Sequence, residues 1–272
     1  MARSLQLAGI DYVVLEKNDD IAPDMGFGIA LYPQSMRLLD QFGLLDQVLE
    51  EGWHYRFKTN YSPEGKTVED NEMMGTVKEW HGHPWQYMPR KVLLKMLHES
   101  IPDRDTKIKT GKRVTSIKVH DTGVEVTCDD GSIEQGSIVM GCDGIRSIAR
   151  TEMDRLERAE TGRATNETKP FRIYYKAIIG RSKSVEHLEP NKAHETRGKH
   201  KAYQVFPSKL GCWWFAYIRV EEGHKEQRYT PEDAEAAAEP LRDDVVAPGG
   251  VTFGDLWDTR SEGAMWDLHE GS

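Results

Sequence analysis

Cysteine is scarce: Cys128, Cys142 and Cys212 are the only three in 272 residues, widely spaced and odd in number. They make neither a disulfide framework nor a metal-ligand cluster. No run approaches the ~18 consecutive apolar residues of a membrane span, and the first residues lack the apolar core of a signal peptide. Positive charge is outnumbered, with 36 Lys and Arg against 45 Asp and Glu and a net charge of −9. That balance argues against nucleic acid as the main partner, since phosphate binding needs a basic surface. No internal repeat or low-complexity tract is present. What is there, 38% hydrophobic and 30% charged residues, is enough apolar material for a core. The length fits one large domain or two smaller ones.

Residues 1–9 read as the end of a helix closed by Gly9. The apolar run Tyr12-Val13-Val14-Leu15 then ends at Glu16. A helix running straight into a buried strand is a mid-fold pattern, so the chain is expected to start inside a βαβ unit without its first strand. Glycines follow at Gly26 and Gly28. Met36, Leu39, Leu44, Leu45 and Val48 give one apolar face to a helix over about 33–50. Between Trp53 and Met88 a strand or two is expected. Pro89 and Arg90 open an amphipathic helix carrying Val92, Leu93, Met96 and Leu97.

Alternation predicts strands over 113–120 and 123–128, joined by Asp121-Thr122-Gly123. The uninterrupted apolar run Ser137 to Met140 reads as a strand buried on both faces in a parallel sheet. Residues 151–169 are polar and read as a linker or mobile loop. Strands over 171–179, 202–206 and 212–220 read as an antiparallel sheet and a second domain. Short helices start at Thr230 and Thr252. Trp213-Trp214-Phe215 reads as sheet core, and His81 with His83 as loop residues without a third metal ligand.

Two places carry chemistry. Glu16, at the end of an apolar strand, either accepts hydrogen bonds from ribose hydroxyls or is an ordinary acid capping that strand. The glycine-rich turn of a dinucleotide site belongs ~20 residues before such a carboxylate, and only 15 residues precede Glu16. The run Gly141-Cys142-Asp143-Gly144-Ile145-Arg146-Ser147-Ile148-Ala149-Arg150 delivers an Asp-Gly pair, a serine able to cap a helix, and an arginine able to pair with phosphate or carboxylate. It is either a phosphate-approaching turn or a plain strand-to-helix corner.

Val14 to Lys17, Ile21-Ala22-Pro23, Pro33 to Gly43, Arg90 and the run Asp143 to Arg150 together resemble FAD-dependent monooxygenases. The nearest likeness is to the fungal group that epoxidises prenyl chains in indole-diterpene and meroterpenoid pathways. The resemblance implies an α/β fold: an FAD-binding parallel sheet with helices, incomplete here, plus a second domain built on an antiparallel sheet. It implies an FAD domain over 1–165, a substrate-side sheet domain over 166–250 and a return to the FAD domain over 251–272. It implies that Glu16 binds the adenosine ribose, that Gly28 and Ala30 lie along the flavin, and that Arg90 reaches the pyrophosphate or ribityl chain. Asp143 and Gly144 would support both FAD and the nicotinamide nucleotide.

The implied reaction takes hydride from NAD(P)H onto FAD and passes one oxygen atom from molecular oxygen to a small hydrophobic, prenylated substrate. A cytoplasmic or membrane-associated location is implied. The family's first strand with its glycine-rich loop and its later Gly-Asp motif are not found, and Gly254-Asp255 does not supply the latter. A tyrosine expected near position 197 aligns with Arg197, and Tyr203 is out of register. No catalytic acid is therefore assigned. The chain as given is expected to hold FAD poorly, to aggregate, and not to catalyse oxygenation. The rival readings are a non-catalytic fragment or binding module with an FAD-domain-like fold, and a nicotinamide-dependent dehydrogenase.

Overall fold

The computed structural model describes residues 1–23, 28–163, 171–190 and 192–271. Gly26 lies outside them. The chain opens with helix α1 (Ala2–Leu7) and strand β1 (Val14–Leu15). Next come β2 (Gly28–Leu31), α2 (Pro33–Gln41), α3 (Leu45–Glu51), β3 (Trp53–His54), β4 (Phe57–Tyr61), β5 (Thr67–Asn71), α4 (Met73–His81) and β6 (Gln86–Pro89). They are followed by α5 (Arg90–Glu99), α6 (Arg104–Lys107), β7 (Ile108–Lys109), β8 (Val114–His120), β9 (Gly123–Cys128), β10 (Ile133–Gly136) and α7 (Ile148–Thr161). The last part holds β11 (Phe171–Ser182), β12 (Lys192–Arg197), β13 (Lys201–Ser208), β14 (Gly211–Arg219), α8 (Pro231–Ala238), β15 (Val245–Ala247), β16 (Val251–Thr252), α9 (Phe253–Asp258) and β17 (Arg260–Gly271). None of the described helices is long and apolar enough to cross a membrane.

The chain divides into two compact units. The first comprises residues 1–23, 94–172 and 269–272; the second comprises 24–93 and 173–268. This division is not the linear one expected from sequence, because residues 24–93 pack with the later sheet.

In the first unit β1 and β7 pair in parallel, with Val14 opposite Ile108 and Leu15 opposite Lys109. β8, β9 and β10 form an antiparallel meander. The expected strand over 137–140 is corrected: these residues carry no strand pairing, and Ile138 is 76% exposed. An apolar run becomes a central strand only with a partner on each side, and none of the described strands lies against it. The expected loop over 151–169 is corrected too, since 148–161 form α7. Its charges are arranged as helix pairs, Arg158 to Asp154 at 2.8 Å and Arg155 to Glu152 at 2.7 Å, and such i,i+3 and i,i+4 pairs support a solvated helix. Residues 164–170 of that stretch lie outside the described ones.

In the second unit a seven-stranded mixed sheet runs β17-β11-β14-β13-β12-β4-β5. β12 and β4 pair in parallel, while β13 pairs antiparallel with both β12 and β14. The helix expected over 33–50 is two, α2 and α3, because Gly43 at φ +73° ends the first. α8 and α9 start with reciprocal caps, Thr230 with Asp233 and Thr252 with Asp255, as S/T-x-x-D/E spacing allows.

Side chains of one strand alternate between faces. On β14, Trp214 and Ala216 join one core with Ile178, Val205, Phe253 and Trp257. Trp213 and Phe215 point the other way, into an aromatic cluster with Tyr55, Trp85, Tyr87 and Phe206. The sheet therefore has two distinct faces, and the aromatic one is packed shut at Trp213 but only half-buried at Phe215 and Tyr217.

Candidate functional site

Within the first unit, Glu16 follows β1 at its carboxyl end. Its N–H donates to the Lys109 carbonyl at 2.9 Å, and its own carbonyl accepts from Lys112 N–H at 2.8 Å. Its side-chain Oε1 accepts from the Asn18 backbone N–H at 2.9 Å and from Asn18 Nδ2 at 2.8 Å. The carboxylate is thus fixed at the end of a parallel strand, where open α/β sheets place ligands. The partner of β1 in this pair is β7, and residues 138–141 carry no strand pairing among the described residues.

The Asp-Gly turn is held from within. Asp143 Oδ2 accepts the N–H groups of Ile148 at 2.7 Å and Ala149 at 3.2 Å, two of the donors a helix N-terminus leaves open. Burial opposes the charge on Asp143, but the Ser147 hydroxyl and these N–H groups outweigh it and keep the carboxyl below its ordinary value. Ser147 caps α7 by accepting Arg150 N–H at 2.9 Å. The Arg150 guanidinium donates back to the carbonyls of Gly144, at 3.3 Å, and Ile145. It also sits 5.0 Å from the centre of the Phe171 ring.

Gly144 has φ +75°, and a Cβ there would meet nothing within 4 Å. Asp143 and Arg150 therefore build the turn, and Gly144 leaves its outer side open. Of the two sequence readings, the strand-to-helix corner describes the hydrogen bonds present, while the open side of Gly144 fits the approach of a phosphate.

Within the second unit, Gly28 and Ala30 lie on β2 opposite Pro89 and Tyr87 of β6. Arg90 is the next residue after Pro89, exposed at the start of α5. The structure so brings Gly28, Ala30 and Arg90 to one small antiparallel sheet. A Cβ on Gly28 would lie 2.0 Å from the Tyr87 ring, so this glycine makes room for tyrosine as well as for close backbone pairing. Ala30 packs on the aromatic cluster of Trp53, Tyr87, Phe206 and Trp213.

The aromatic face also carries polar groups that reading the sequence missed. Tyr217 donates its O–H to Gln204 Oε1 at 2.9 Å, and Gln204 Nε2 donates to Glu195 Oε2 at 3.3 Å. Lys58 Nζ lies 2.5 Å from the same Glu195 oxygen, and Arg197 bonds the other. The alternation along Trp213, Phe215 and Tyr217 was the available signal. Tyr203, weighed from sequence, belongs to the opposite face: its hydroxyl bonds Asp244 and its ring packs on Phe253.

Each unit thus offers groups of the kind a flavin dinucleotide takes: the first a fixed carboxylate at a parallel strand end and an open glycine ahead of a helix, the second small residues beside an exposed arginine. Residues 1–264 match the FAD binding domain family. The chain is 33% identical over 276 residues to the FAD-dependent monooxygenase esdpE of Penicillium shearii, covering 99% of this chain and 57% of that protein. It is 30% identical to the FAD-dependent monooxygenase paxM of Penicillium paxilli, covering 100% and 58%.

Among solved structures, HpxO of Klebsiella pneumoniae complexed with FAD and uric acid superposes with a TM-score of 0.73 at 20% identity, over 98% of this chain and 64% of that one. The 2,6-dihydroxypyridine-3-hydroxylase of Arthrobacter nicotinovorans gives 0.72 at 15% identity, over 100% and 70%. The chain belongs to the FAD binding domain family and shares its fold with these two proteins. It spans a little under three fifths of the length of the fungal monooxygenases it matches.

Proposed function

We propose that this chain carries the FAD-holding and substrate-facing parts of an NAD(P)H-dependent monooxygenase acting on a small hydrophobic, prenylated metabolite. One observation carries the reading: Ala30, implied to lie beside the flavin, packs on an aromatic cluster in which Trp53 and Tyr87 of its own small sheet meet Phe206, Trp213 and Phe215 of the large one. A wall of that kind suits an apolar substrate. Bound FAD supplies the redox and oxygen chemistry.

The chain's own residues bind and orient. Glu16 accepts from ribose hydroxyls. The backbone at Gly144, stiffened by Asp143 and Arg150, receives phosphate at the start of α7. Arg90 supplies a charge-assisted contact to the pyrophosphate or ribityl chain. Gly28 admits the Tyr87 ring, Ala30 keeps a small side chain beside the flavin edge, and the aromatic face excludes water from the reacting end of the substrate.

A second reading, a non-catalytic binding module, is favoured by the exposed and unpaired run at Ile138 to Met140. Titrating FAD into the purified chain separates the two, with flavin fluorescence and NADPH consumption followed in the presence of a prenylated substrate. Substrate-dependent NADPH oxidation, with flavin retention lowered by Arg90→Ala, supports the monooxygenase reading. Background oxidation and no retained flavin leave the binding module.

A further inference from the structure

The polar chain on the aromatic face has a direction. Glu195 is nearly inaccessible; burial opposes its charge, but Lys58, Arg197 and Gln204 outweigh it, so its carboxyl titrates below the ordinary value. An ionised carboxylate only accepts hydrogen bonds. The Gln204 amide must therefore turn its NH2 toward Glu195, which leaves its carbonyl oxygen toward Tyr217. The Tyr217 phenol, pushed up to about 12 chiefly by burial and further by Glu195, stays protonated at neutral pH. Its single hydrogen is committed to Gln204. What its oxygen has left to offer is an acceptor lone pair.

Tyr217 stands in the row of Trp213 and Phe215, its ring stacked 6.1 Å from that of Phe215. It is only half-buried. We infer that this face receives an apolar ligand bearing one hydrogen-bond donor, an O–H or N–H, and that Tyr217, oriented through Gln204 by Glu195, is the residue that selects it. The inference rests on the proposed reading of this face as the substrate side and narrows the substrate class from hydrophobic to hydrophobic with a donor. Lys58 and Arg197 act only through Glu195, as positioning residues.

The test uses two matched probes, a farnesylated phenol and the same molecule with fluorine in place of the hydroxyl. Both are titrated into the full chain while tryptophan fluorescence is followed. In wild type the phenol is favoured, and Tyr217→Phe lowers the ratio of the two affinities by about tenfold, as for loss of one buried hydrogen bond, with the aryl fluoride binding as before.

An unchanged ratio, with both probes still bound, overturns the donor assignment and leaves the apolar-substrate reading standing. Binding of neither probe to wild type overturns that reading and the inference with it. Should Tyr217→Phe lose its circular dichroism signature, Glu195→Gln takes its place. A neutral amide at 195 lets Gln204 turn over, so the ratio must shrink there too, and an unchanged ratio again overturns the assignment.

Discussion

Two apolar runs meet opposite fates in this protein, Ser137 to Met140 and Cys212 to Val220. In the second unit Trp214 is 1% exposed, its indole N–H bonded to Ser182 Oγ at 2.6 Å and its ring packed on Phe253 and Trp257. In the first unit Ile138 is 76% exposed and Met140 50%. Both runs read from sequence as strand. The difference is neighbours: β14 has β11 and β13 hydrogen-bonded on either side and apolar clusters on each face, whereas residues 137–140 have no paired strand among the described residues. Apolar character makes a strand profitable only where partners satisfy its backbone and cover its side chains. The comparison locates the stability of this chain in the second unit and its vulnerability beside the Asp-Gly turn.

The sharpest way to break that comparison is Trp214→Ala. Removing a fully packed indole should cost about 3–5 kcal/mol, read as a fall in the denaturant midpoint of the second unit's near-ultraviolet signal. A loss under about 1 kcal/mol would show that the sheet core is not where stability lies.

Next in size is an acid effect confined to the same unit. His194 is 2% exposed, and burial first, with Lys192 second, depresses its pKa to about 4, against Asp70, which raises it. The unfolded imidazole titrates near 6.5. Between these values the unfolded chain binds the extra proton, so stability is complete above about pH 6.5 and declines as pH falls toward 4, by up to roughly 3 kcal/mol. His194→Gln should flatten that slope in denaturant titrations at pH 7 and pH 5. An equal slope in both proteins would assign it elsewhere.

A smaller effect belongs to the first unit. Ser147→Ala removes the cap of α7 and should cost about 1 kcal/mol, visible as faster amide exchange over 148–152. The turn around Gly144 should loosen with it, because Arg150 is tied to both. Unchanged exchange would mean that Asp143 alone holds the corner.

Smallest in stability, though not in behaviour, is Ile138→Ser combined with Met140→Ser. Exposed positions change folding free energy by no more than about 0.5 kcal/mol, yet the double variant should raise the monomer fraction on size exclusion. A stability loss above 1 kcal/mol would show that these side chains are buried in solution and that the contrast between the two units fails.

Local signals were legible in the amino acids. The caps at Thr230 and Thr252, the β8–β9 hairpin with its turn at Gly123, and the opening of α5 at Arg90 all depend on residues within one or two turns of each other. α7 was missed because its pattern is one of charge pairs rather than apolar period, and the break at Gly43 because the apolar face runs past it.

The family resemblance, too, was carried by short runs such as Val14 to Lys17 and Asp143 to Arg150. Tertiary structure alone decided the rest. The parallel pairing of β4 with β12 joins Thr59 to His194 across more than a hundred residues, and no local period encodes a partner that far away. That pairing brings Lys58 to Glu195, and the register of β13 on β14 then sets Gln204 opposite Phe215, within diagonal reach of Tyr217 on the aromatic face, while turning Tyr203 to the other. Which tyrosine faces the aromatic cluster is a matter of strand register, and register is set by the packing of the whole sheet.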